Sequence, residues 1–134
     1  MSLDASHPLS NYSQFEYTPP NKGLTGNRQI DALISGYRWT EKNSAGQTVI
    51  SYSFVNPESS FVSNYSSFNE PVSRSYFSEE VRALTRTVLN QIAEVCNLNF
   101  VEVNDNNQES GVLRYSFSQV IAKNQVAAWA YSPS

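Results

Sequence analysis

The chain holds one histidine and one cysteine in 134 residues. That scarcity excludes much chemistry. A Ser-His-Asp triad or a Cys-His pair needs a histidine held beside a nucleophile. A structural zinc site takes four ligands, mostly Cys and His. His7 lies in a polar N-terminal segment with no second Cys or His beside it, and one histidine without partners makes no metal site. Cys96 cannot form an internal disulfide. It lies next to a run of apolar helix positions and reads as a small buried apolar residue rather than a nucleophile. Charge is scarce too. Asp, Glu, Lys and Arg make up 16% of the chain, and the net charge is −3. No Lys/Arg cluster occurs, which argues against a nucleic-acid or anionic-membrane partner. No apolar run approaches the ~20 residues of a membrane span. The opening residues, MSLDASHPLS, lack the basic and apolar regions of a Sec-type signal peptide. There is no P-loop, no Gly-rich dinucleotide turn and no HExxH helix.

What is present is a composition of 40% hydrophobic and 13% aromatic residues, enough for a core. The length suits one domain or part of a larger one. Residues 1–26 carry Pro8, Pro19, Pro20, Gly23 and Gly26 among polar residues and read as an extended or poorly ordered tail, propeptide-like in position. Asn27 to Gly36 is a helix candidate, capped by Asn27, with Ile30, Leu33 and Ile34 on one face. Tyr37–Trp39 looks extended, and Asn43–Gly46 is a turn. Thr48–Val55 alternates as a strand, with Val49, Ser51, Ser53 and Val55 on one face and Ile50, Tyr52 and Phe54 on the other. Asn56–Ser75 is a long polar loop, and Phe61, Tyr65 and Phe68 would pin it to the core or, on the rival reading, bind a ligand.

Ser78 opens a long helix, with Glu79 and Glu80 at the positive end of its dipole. Val81, Leu84, Val88, Ile92 and Val95 form a stripe expected to face the sheet, with Arg82 and Arg86 on the polar side. Asn97 suits the C-terminal cap. Leu98–Val103, Gly111–Phe117 and Val126–Tyr131 read as strands. Glu102 and Asp105 make an acidic pair that reads as a solvated turn, or as a weak cation site. The fold class is therefore α/β (α+β): a twisted mixed sheet of about four strands, with one face under a long helix.

Taken in order, IDALISGYRW, VISYSF, FSEEVRALTRTVLNQIAEVCNLNFVEV, GVLRYSF and AAWAYSP resemble the front half of a serralysin-type catalytic domain, in the metzincin clan of zinc peptidases. The likeness spans Ile30 to Pro133, and residues 27–134 would form the N-terminal part of that domain, a metzincin-like upper subdomain. Each motif is weak alone; their order and spacing carry the resemblance. It implies a secreted, zinc-dependent metalloendopeptidase, with non-Sec, type I-like export. The zinc signature HExxHxxGxxH lies downstream of these motifs in the family. No position here corresponds to a zinc ligand or to the general base, so this chain alone is expected to be inactive. Zinc, and calcium in the family's C-terminal repeats, would belong to the intact enzyme.

The resemblance gives a role to Val126, Ala127, Ala128, Trp129 and Ala130. In metzincins the corresponding strand is the antiparallel edge of the sheet and pairs with extended peptide substrate, which an unpaired edge can satisfy whatever the side chains. The rival reading is a central strand with tight packing. Trp129 stands where related matrixins place a structural-zinc histidine, so zinc is not expected there. Two other functions stay open: a catalytically inactive peptide-binding or inhibitor-like module that keeps the edge, and a self-standing domain with accidental similarity. The exposed edge also implies self-association.

Overall fold

The computed structural model describes residues 15–17, 25–31, 37–63, 65, 68–123, 127–128 and 130. Along the chain run β1 (Phe15–Tyr17), α1 (Arg28–Asp31), β2 (Tyr37–Trp39), β3 (Thr48–Phe54), a 3-10 turn (Glu70–Ser73), β4 (Arg74–Ser75), α2 (Glu79–Val95), β5 (Leu98–Glu102), β6 (Leu113–Tyr115), β7 (Phe117–Ser118) and α3 (Gln119–Lys123). The mixed α/β class holds. The central sheet has three strands in the order β5-β3-β6, and β3 runs parallel to both neighbours. Among the described residues the antiparallel ladders are β1 with β2 and β4 with β7, and Lys42 makes an isolated antiparallel bridge to Thr48 at the start of β3. β1 places a paired strand inside the segment read as a polar tail.

Strand alternation sets the core. Ile50 lies beside Phe100, Tyr52 beside Leu113, and Phe54 beside Tyr115, so all six share one face. Tyr52, Phe54 and Leu89 of α2 form the buried cluster, with Phe77, Phe100, Leu113 and Tyr115 packed around it. The Tyr52 and Phe54 rings meet edge to face at 5.8 Å, a geometry favoured by the ring quadrupoles. Burying such a side chain contributes roughly 1.5–3 kcal/mol.

Local signals account for most element ends. Asn27 Oδ1 accepts the Gln29 N–H at 3.0 Å and starts α1; the expected continuation to Gly36 lies outside the described residues. Asn43 Oδ1 accepts the N–H groups of Ala45 and Gln47, and Gly46 takes φ +78° to close that turn. Ser78 Oγ accepts the Val81 N–H at 3.4 Å and caps α2. At the other end α2 runs into an extended Cys96. Asn97 does not cap it; its Nδ2 donates to the Gly46 carbonyl at 3.3 Å. Cys96 is exposed rather than buried.

The apolar stripe of α2 does not face the sheet. Leu84, Val88, Ile92 and Val95 are 66%, 52%, 38% and 84% exposed, whereas Leu89 is 5% exposed. Val81, Arg82, Thr85, Arg86 and Ala93 lie half-buried alongside Leu89. One residue along a helix is a turn of ~100°, so choosing Leu89 over Val88 rotates the whole face. Two arginines explain the choice. The guanidinium groups of Arg82 and Arg86 each stand 5.3 Å from the Phe54 ring centroid, and their aliphatic stems cover core atoms.

The strand expected over Gly111–Phe117 is split. Leu113–Tyr115 joins β3, then the chain leaves the sheet at Ser116 and Phe117 pairs in β4-β7. There the Phe117 ring packs against Phe77 at 4.5 Å between centroids, tilted by 47°. Ser118 Oγ then accepts the Val120 N–H at 3.3 Å and opens α3, a helix absent from the sequence reading. Beyond it, Ala127 lies in a bend, and Ala128 and Ala130 are outside any helix or strand. The strand expected at Val126–Tyr131 is thus not formed at these three positions; Val126, Trp129 and Tyr131 lie outside the described residues. Alanine offers little side chain to pack on a pleated surface.

Candidate functional site

The sheet has two faces, and α2, the one long helix among the described residues, takes only one. Val49, Ser51 and Ser53 point to the other, beside Asn99, Val101 and Arg114. A shallow depression of about 200 Å³ lies there, lined by Glu41, Val49, Ser51, Val101, Val103, Glu109 and Ser110. Its floor is aliphatic, with Val101 39% exposed, and two carboxylates stand at its margin. Ser51 Oγ accepts the Val112 N–H at 3.1 Å, so this serine is committed to holding the chain that leads into β6.

One end of this face is closed by an ionic cluster. Asp105 is 3% exposed. Arg114 grips it with two bonds, Nη2 to Oδ1 at 2.5 Å and Nε to Oδ2 at 3.0 Å. Ser53 Oγ donates to Oδ2 at 2.6 Å and itself accepts the Gly111 N–H at 2.9 Å. Asn56 Nδ2 donates to the Asp105 carbonyl at 2.8 Å, tying down the long loop. The Phe61 ring packs 3.8 Å from the Arg114 guanidinium carbon, and Arg74 stands 5.4 Å from the same ring. Phe61 therefore pins the loop, as one sequence reading held, whereas Tyr65 and Phe68 are exposed. Burial pushes the Asp105 carboxyl up. The Arg114 contact, the Ser53 and Ser59 hydroxyls and the Arg114 charge outweigh it and hold the group below the usual aspartate value.

Glu102 lies on the helix face, so it does not pair with Asp105. Arg86 binds it through Nε at 2.7 Å and Nη2 at 2.9 Å, and Tyr52 Oη donates to it at 3.0 Å. Arg86 also reaches Glu79 at 2.7 Å. The Arg86 contact dominates the lowering of the Glu102 carboxyl, and the same bonds raise the guanidinium. Burial, then Glu102, raises the Tyr52 hydroxyl.

Both acids expected in a solvated turn or cation site are thus engaged by arginines. A strand residue such as Arg114, set between apolar neighbours, was the signal: a charge in that place needs a partner. Among the described residues no group of three or more His, Cys, Asp or Glu can hold a metal ion, and none of their helices is long and apolar enough to cross a membrane. His7, Val126 and Trp129 lie outside the described residues. Ala127, Ala128 and Ala130 are exposed. No family model, curated protein or solved structure matches the chain.

Proposed function

We propose that the chain is the scaffold-forming N-terminal portion of a secreted, serralysin-like zinc metalloendopeptidase. The observation that carries this reading is the half-covered parallel sheet. Purely parallel sheets occur almost only with both faces buried. Here α2 takes one face, and the other presents Val49, Val101 and Val103 around an open depression. A second layer belongs there. In the serralysin-like reading that layer is the remaining half of the catalytic domain, which carries the zinc signature. The order of motifs, with a long helix joining two adjacent parallel strands, supports the same reading.

Among the described residues no group of three or more His, Cys, Asp or Glu fits a metal ion; in this reading the zinc with its ligands, and any calcium, belong to the remaining half. This chain's part is to position the sheet and to offer Val126, Ala127, Ala128, Trp129 and Ala130 to an extended peptide. Their pairing would convert a segment outside regular structure at Ala127, Ala128 and Ala130 into an added strand. The alternative is a catalytically inactive peptide-binding module.

The test is the reading frame beyond Ser134. HExxHxxGxxH within the next several tens of codons, with stoichiometric zinc and chelator-sensitive casein hydrolysis in the whole product, is the expected result. The 134-residue chain alone should hold no stoichiometric zinc and cleave no casein. A frame that ends without the motif refutes the peptidase reading and favours the binding module.

A further inference from the structure

We infer that the outer face of α2 docks a basic amphipathic helix of a partner protein. Three observations converge. The apolar arc of α2 is wider than the sheet can cover: Leu89 fills the core, while Leu84, Val88, Ile92 and Val95 remain exposed on the neighbouring face. These four recur at spacings of four, four and three, the repeat that a second helix meets with its own i, i+3, i+4 residues.

The charges beside the stripe are of one sign. Glu80 and Glu94 are exposed and share the flank next to Leu84 and Val95. The helix's own cations, Arg82 and Arg86, are turned to the Phe54 ring, and Arg86 is neutralised by Glu79 and Glu102. No cation of α2 lies on the outer face. An occupant with Lys or Arg beside its apolar stripe is therefore attracted, and an acidic one is repelled.

The same facts disfavour a second copy. In an antiparallel two-fold pairing of α2 helices like flanks meet, so these carboxylates face carboxylates. The area is also small. Seventeen residues make a helix of about 25 Å, and a strip about 10 Å wide gives roughly 250 Å², well below the ~800 Å² per partner of a stable dimer. A single helix added to this stripe, held in the micromolar range, suits both the area and the charge.

The experiment uses the 134-residue chain and a fluorescein-labelled synthetic helix of roughly 18 residues, leucine at helical spacing and lysine on both flanks. A second peptide replaces every lysine with glutamate. Anisotropy should show micromolar binding of the basic peptide, weakened at least about tenfold by raising the salt from ~0.05 to ~0.5 M. Val88→Glu should weaken it by a similar factor while leaving the circular dichroism spectrum and the melt unchanged. Leu84→Ser provides a second variant should Val88→Glu fold poorly. Equal binding of the acidic peptide, indifference to both substitutions, no binding at all, or a dimer in sedimentation that Val88→Glu dissolves would each overturn the inference.

Discussion

Replacing Asp105 with alanine should remove a large part of the stability of this fold. The carboxylate is 3% exposed and holds Arg114, Ser53 and, through its carbonyl, Asn56. Its loss leaves the Arg114 guanidinium, itself 13% exposed, with no counter-charge against an aromatic ring. Breaking a buried ion pair by removing one partner costs about 3–5 kcal/mol, against a whole-domain stability of about 5–15 kcal/mol. Removing both charges, as in Asp105→Ala with Arg114→Met, should cost markedly less than the sum of the two single changes, because no charge is then left unpaired. Urea unfolding followed by circular dichroism gives the four corners of the cycle. The pH dependence has a definite sign. The Asp105 carboxyl lies below its unfolded value, so its contribution is complete above that value, ~3.9, and is lost as pH falls through the folded one. The wild type should therefore lose stability in acid more steeply than Asp105→Ala. Strictly additive single and double variants, or identical acid profiles, would refute the argument that this pair closes the open face.

Two further outcomes follow from the packing. Arg86→Glu should lower the melting temperature more than Val88→Asp, because it sets a third carboxylate beside Glu79 and Glu102 and uncovers Phe54, whereas Val88 is exposed and Val and Asp have similar helix propensities, a difference of at most about 0.5 kcal/mol; thermal melts of the two variants decide it. Gly111→Ala should destabilise by roughly 1–3 kcal/mol, since a Cβ there would lie 2.5 Å from the Ser53 amide nitrogen, which is backbone and cannot swing aside; a urea midpoint equal to wild type would show that the approach relaxes freely.

The extent of α2, its Ser78 cap and the two faces of β3 were legible because they rest on local periodicity. The orientation of α2 was not. Val88 and Leu89 are adjacent, both are apolar, and nothing within the helix says which is inward. Arg82 and Arg86 settle it by packing on Phe54, a residue 28 and 32 positions away in the chain. The break after Tyr115 was illegible for a similar reason, since Ser116 carries no turn signal and the pull on Phe117 comes from Phe77. Of the candidate site, the open face could be read from the alternation of β3. The Asp105 cluster could be read only from one side: Arg114 between Leu113 and Tyr115 signals a charge that needs a partner, but Asp105 sits in a polar stretch that local patterning assigns to solvent.

The position of β3 between two parallel partners sets the order of events at the ribosome. Its hydrogen-bonding neighbours are far along the chain: Tyr52 meets Glu102 across 50 residues, and Ser51 meets Val112 across 61. At synthesis rates of about 5–20 residues per second, β3 waits several seconds with both edges bare. During that interval Ile50, Tyr52 and Phe54 are an apolar strand without a sheet, which is the state in which nascent chains pair wrongly. The sheet face built on those residues is therefore complete only once Tyr115 has been added.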